Sequence, residues 1–422
     1  MKKILAIIFA FFAVQLIFAF PSLEPSILWG LEQNSIQKIE HTDEKQNILG
    51  QNLTSRQIIQ TALEYSFCPV ESEEGLSCLK KYDSLEKAVK KQFCGLEKID
   101  AAEKLLLFLY DVALYQYKED ATRLNTTLLT GSYNCVTASI LYLALARSLE
   151  IEVCVQETNI HAYCSVFTGT KKIDVETTNP YGFNPGEKKL VAQTENNRKY
   201  AVIPKKYYAG SRQISSRAAA TLTGKNIASS LNDSGDYETA IPLEISRLEF
   251  LKLFSDPETK TAKNDLDTLA CNYAITQNRA SQPEKALEFL EKVIQNFGNS
   301  AVLQKTYGNS LYNAAVNLLN ENRESDALEL FQNRSALADE AMQNRVKKMI
   351  DGQILKKHEI SVHNQVVPLF NTGKFDEAKS ILEKELAQLR DRIAELLAIL
   401  ASKQKQMEVV KKHIAGRFPA QY

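Results

Sequence analysis

Apolar residues recur at helical spacing along most of this chain, and one central block abandons that spacing for strict alternation. Before the block, the run Ala101-Ala102-Glu103-Lys104-Leu105-Leu106-Leu107-Phe108-Leu109-Tyr110 keeps its apolar positions on one helical face and predicts an amphipathic helix. A turn signal follows over Thr127 to Gly131. Val136, Ile140, Leu143, Ala144 and Leu149 then resume the helical period, with Leu141 and Leu145 widening the stripe. A helix so apolar all round must be buried. After it the period falls to two: Ile151, Val153 and Val155 alternate with Glu152, Cys154 and Gln156, which predicts a strand. Ala162 to Thr168 and Lys171 to Thr178, separated by Thr168-Gly169-Thr170, predict a hairpin. The clusters Asn179-Pro180-Tyr181-Gly182 and Asn184-Pro185-Gly186 close the block as loops.

Beyond Thr221 the pattern is helical again and carries a weak internal repeat. Ala240, Ala286, Ala327 and Ala378 align, with separations of 46, 41 and 51 residues, each after a turn and a charged lead-in such as Gly235-Asp236-Tyr237-Glu238. Twelve residues earlier stand Ala228, Ala274, Ala315 and Val366, small or modest residues where paired helices approach closely. The repeat resembles tetratricopeptide units, whose usual period is about 34 residues, and the longer spacings imply lengthened helices or degenerate units. The stretch from Ser380 to about Ile414 reads as a long closing helix. The predicted class is α+β. Residues 1–19 form a signal segment, 20–100 a helical preface, 101–210 the mixed domain with the buried helix and antiparallel strands, and 221–422 an all-α repeat domain.

Composition narrows the partners. In 422 residues, 51 acids balance 51 bases, so no field draws in nucleic acid. Met1-Lys2-Lys3 followed by the apolar run Ile4 to Phe20 predicts export, to the periplasm or the cell exterior, with cleavage after Ala19 or retention as an uncleaved anchor. No second apolar run approaches membrane-spanning length, so no other membrane contact is expected. Seven cysteines follow the signal segment, an odd number that leaves at least one free thiol in an exported protein. Cys68 with Cys78, and Cys154 with Cys164, are the pairs whose placement suits a disulfide. No close Cys-x-x-Cys pair occurs and only five histidines are present, so neither a metal nor another cofactor is expected.

The candidate chemistry lies in the mixed domain. Cys135 heads the buried helix after Gly131-Ser132-Tyr133-Asn134. There, unpaired backbone N–H groups and the positive end of the helix dipole favour a thiolate and can hold an oxyanion. His161 opens the first hairpin strand 26 residues later, and Asp174 and Glu176 sit on the returning strand, on one face by alternation. Nucleophile, base and orienting acid thus follow in order. Tyr133, Asn134 and Tyr163 are candidates for the substrate groove, and Asn159 for a tether of the loop before His161.

Leu129-Thr130-Gly131-Ser132-Tyr133-Asn134-Cys135, His161-Ala162-Tyr163 and Val175-Glu176-Thr177-Thr178 together resemble the transglutaminase-like (papain-like cysteine protease) superfamily in its bacterial form. The resemblance covers about Ala101 to Tyr208. It implies a papain-like core, thiol-dependent hydrolysis or transfer of amides in a protein or peptide, and a Cys135, His161, acid triad. Matching Thr178 to the family's threonine puts Glu176 where Asp is usual and Thr177 where Pro is usual, so Glu176 is the implied acid and Asp174 its rival. The alternative function is a non-catalytic scaffold, with a protein partner bound on the helical repeats.

Overall fold

Local capping sets the first helices. Thr54 and Gln57 close a reciprocal capping box at the head of α1, Ser55–Glu64, and Ser72 caps α2, Glu73–Phe93. Helix α3, Lys98–Val112, buries Ala101, Ala102, Leu105, Leu106 and Leu109, the face that its apolar spacing predicts. The computed structural model describes residues 53–185 and 208–387. The expected signal segment and the part of the expected closing helix from 388 onward lie outside the described residues.

The short strand β1, Gln116–Tyr117, leads to α4, Leu124–Thr130, which ends at Gly131 in the left-handed conformation with φ 73°. A side chain there would be doubly excluded, because a Cβ would lie 2.3 Å from the Tyr115 ring. The chain then forms β2, Ser132–Tyr133, parallel to β1, and enters α5, Cys135–Ser148. Every α5 residue from Val136 to Ala146 is buried, since α1, α2 and α3 cover one side and β3 and β4 the other.

Strands β3, Val153–Glu157, β4, Ala162–Thr168, β5, Lys171–Val175, and β6, Arg212–Ile214, form an antiparallel sheet in the order β5-β4-β3-β6. The molecule is therefore α+β, mostly helical with small sheets. β5 ends at Val175, three residues short of its predicted end, because the Glu176 N–H leaves the ladder and donates to the Gly182 carbonyl at 2.8 Å.

The same register removes the predicted cross-strand cysteine pair. Cys154 faces Ser165, and Cys164 faces Val155, so the two thiols emerge on opposite sides of the sheet. All seven cysteines are free thiols, and Cys68 and Cys78 are both buried.

The helices after the sheet are α6, Ser216–Ala220, α7, Leu222–Ser234, α8, Tyr237–Leu253, α9, Thr259–Arg279, and α10, Pro283–Phe297. They are followed by α11, Ala301–Asn320, α12, Glu324–Arg334, and α13, Glu340–Asn371. Consecutive helices pack in the runs α7 to α8 to α9 to α10, with Ala228, Ala240, Ala274 and Ala286 buried where they meet. The chain divides into two compact units between Ser310 and Leu311, so the helices up to α10 belong to the unit that holds the sheet. In the second unit α12 packs on α13, which buries Met342, Val346 and Ile350.

Candidate active site

The position of Cys135 is built by its predecessor. Asn134 precedes α5 in an extended conformation, and its Oδ1 accepts from the N–H groups of Val136 and Thr137, both at 3.0 Å. Thr137 Oγ1 accepts from the Asn134 N–H at 3.1 Å, and the Asn134 amide nitrogen donates to the Glu119 carbonyl at 3.4 Å. Asn134 is thus a helix cap with both ends of its amide engaged, and the groove role expected of it is corrected. The cap also takes two of the N–H groups expected to hold an oxyanion, which leaves that of Cys135 itself. Tyr133 is corrected likewise: it is fully buried, donates to the Tyr110 hydroxyl at 3.2 Å, and packs edge-on against Tyr110 and Tyr117. Cys135, two residues further on, is partly exposed.

The turn between β3 and β4 delivers His161. The Thr158 N–H donates to the His161 carbonyl at 2.8 Å, and the His161 N–H donates to Thr158 Oγ1 at 3.0 Å. Thr158 therefore fastens the turn, the role considered for Asn159, which is exposed. The imidazole is 5% exposed, with Nε2 at 2.7 Å from Glu176 Oε2. Burial alone would lower its pKa, but hydrogen bonds to the Cys135 thiol and to Glu176, with the negative charge of both, outweigh it and raise the value to about 10.

Glu176 is wholly buried and carries four donors. Its Oε1 accepts from the Thr178 N–H at 3.0 Å and the Thr178 hydroxyl at 2.6 Å, while Oε2 accepts from His161 and the Tyr208 hydroxyl. Burial works to raise its pKa, and these bonds with the imidazolium charge bring it below the ordinary carboxylate value. The loop is tied back to α5 by the 2.8 Å bond between Ser139 and Thr177, and to α3 by the Tyr110 hydroxyl donating to the Thr177 carbonyl at 3.0 Å. Gly182 closes over Glu176 so tightly that a Cβ would lie 2.0 Å from the Glu176 carbonyl oxygen.

Asp174 is outside this cluster. It faces Ser165 across the ladder, accepts from the Ser165 hydroxyl at 2.8 Å, and pairs with Lys172 at 3.5 Å. Ser165 is four residues along β4 from His161, about 13 Å at the rise of an extended strand, so Asp174 shares the face but not the position. Tyr163 lies beside the imidazole, ring centroids 6.2 Å apart and nearly parallel, and donates to the Ser211 hydroxyl at 3.0 Å. It is 2% exposed and packs against His161, which corrects its expected place in the groove.

Two further tyrosines border the cluster without having been marked by sequence. Tyr208 stands edge-on to His161 and to Tyr163. Tyr117 lies on β1 against the loop that ends at Cys135, with the Lys118 N–H donating to the Tyr133 carbonyl at 2.8 Å. Its phenol is pushed up to about 12, first by burial and then by the negative charge of Cys135, Glu119 and Glu176.

Among the described residues no group of three or more His, Cys, Asp or Glu is placed to hold a metal ion. No family model and no curated protein matches the chain. A solved structure, the crystal structure of menin that reveals its binding site for the Mixed Lineage Leukemia protein, is similar at a TM-score of 0.32 and 10% identity, covering 74% of this chain and 81% of that one. A likeness so remote carries no functional reading, and the site has to be interpreted from its own geometry.

Proposed function

We propose that residues 101–210 form a transglutaminase-like, papain-like thiol domain that cleaves or transfers amide bonds of a protein or peptide, with Cys135 as nucleophile, His161 as base and Glu176 as orienting acid. The observation that carries this reading is a buried histidine held by a buried carboxylate at 2.7 Å, its protonated form favoured by the partly exposed cysteine at the helix head. The Cys135 thiolate attacks the amide carbonyl carbon, and the carbonyl electrons move to its oxygen. As they return, the C–N bond breaks and the imidazolium proton passes to the leaving amine. A thioester remains on Cys135. Water or a second amine then attacks it, gives a proton to His161, and releases the thiolate. Asn134 already satisfies the N–H groups of Val136 and Thr137, so the Cys135 N–H is the main-chain donor for the oxyanion. The Tyr117 phenol, which has no hydrogen-bond partner among the described residues, supplies a second donor in this reading.

The same proposal has the protein exported, through the segment Met1 to Phe20, with the helices beyond residue 221 acting as tetratricopeptide-type repeats that bind a protein partner. The test is the rate of Cys135 carboxamidomethylation by iodoacetamide near pH 7, with the other thiols followed by mass spectrometry. His161→Ala is expected to slow Cys135 about tenfold or more, because an unassisted thiol is only a few per cent ionised there. Equal, slow labelling of both proteins would instead favour the non-catalytic scaffold. Hydrolysis and transfer are then separated by whether a glutamine-containing peptide yields the free acid or an amine adduct.

A further inference from the structure

We propose that Tyr208 is a positioning residue of this centre, which governs the charge held on His161 by sharing the carboxylate oxygen that binds it. The proposal rests on the thiol-domain reading and concerns a residue 32 positions beyond Glu176 in the chain. Oε2 of Glu176 has two donors, His161 Nε2 and the Tyr208 hydroxyl. A carboxylate oxygen shared in this way has less negative charge to offer each donor.

The Tyr208 ring has a second, opposite effect. Its centroid is 5.9 Å from that of His161 at 87°, and 4.9 Å from that of Tyr163 at 78°, while Tyr163 lies at 18° to the imidazole. The two phenol rings therefore pack against the imidazole, whose side chain and that of Glu176 are 3% and 0% exposed. Excluding water from an ion pair strengthens it. The hydroxyl weakens the hold of Glu176 on the imidazolium, and the ring reinforces it.

The titratable groups that face His161 are Cys135 from α5, Glu176 beyond β5, Tyr163 on β4 and Tyr208 itself. Tyr117 on β1 and Asp174 on β5 stand behind them and act on Cys135, Glu176 or the tyrosines. The other groups keep their identity when residue 208 is changed, so hydroxyl and ring can be removed separately. Tyr208→Phe deletes the shared donor and keeps the ring. Tyr208→Ala deletes both.

The measurement is a ring 15N titration of His161 in the full chain, its signal assigned by loss in His161→Asn. Tyr208→Phe is expected to move the midpoint up by about 0.5 to 1 pH unit, the worth of one hydrogen bond to a charged group. Tyr208→Ala is expected to move it down, toward the free imidazole value. A merely structural role would shift both variants the same way, and an unchanged midpoint in Tyr208→Phe would likewise overturn the proposal. Failure of the thiol-domain reading has its own signature, because the iodoacetamide comparison of wild type with His161→Ala does not depend on residue 208.

Discussion

Glu176 and Asp174 differ by two positions and occupy opposite physical situations. One is buried among four donors with its carboxylate turned to His161, and the other is on the strand surface beside Lys172. If the proposed triad is right, Glu176→Gln lowers amide turnover by roughly 10²- to 10⁴-fold, because the imidazolium loses its counter-charge and its orienting partner. Asp174→Asn should change it by less than about twofold, and steady-state kinetics on one peptide substrate would check both. The histidine also gives a stability prediction. Its folded pKa of about 10 exceeds the ordinary imidazole value of 6.5, so the stabilisation is complete below about pH 6.5 and is lost as pH rises through 10. Urea midpoints of wild type and His161→Gln should therefore differ most at about pH 6.5 and just below it, and converge above pH 10. Convergence on the acid side instead would contradict the assignment.

At the scale of elements, the head of α5 depends on a single amide. Asn134→Ala removes the acceptor for two N–H groups and should cost about 1 kcal/mol by denaturant titration, with Cys135 alkylation slowed as the first turn loosens. The buried helix and the hairpin were legible from period alone, since β4 runs from Ala162 to Thr168 as alternation predicts. The orienting residue was harder to read. The loop Gly169-Thr170 pairs Thr168 with Lys171, and counting back from it brings Asp174 opposite Ser165, yet the same alternation puts Asp174 and Glu176 on one face. Face alone cannot choose between them; distance along the strand can. Tyr133 and Asn134 were misplaced because sequence marks what precedes a helix without showing which side faces inward. Tyr208 had no sequence signal, since nothing local relates it to a carboxylate 32 residues earlier.

At the scale of the whole molecule, the sheet is fastened to the helices that follow it by charge as well as packing. Glu157, the last residue of β3, pairs with Arg212 on β6 and with Lys225 on α7 at 2.9 Å. Arg212 also pairs with Glu258 at the start of α9, and Lys225 with Asp265 at 3.4 Å. Asp265 then meets the buried Arg247 of α8 at 2.9 Å, and Arg247 is paired with Glu244. This helps account for one compact unit where the periodicity suggested a boundary near residue 221.

The ion cluster ends one residue before the turn that carries His161. Arg212 and Lys225 keep 39% and 28% of their side chains exposed, so dissolved ions can reach the outer half of the cluster. Raising salt from 0.1 to 1 M contracts the reach of a charge from about 10 to about 3 Å. The Thr158 to His161 turn should then open more often, and amide hydrogen exchange at His161 should accelerate relative to the α5 interior. The placement of His161 thus responds to the ionic strength around the molecule, through groups that never touch the imidazole.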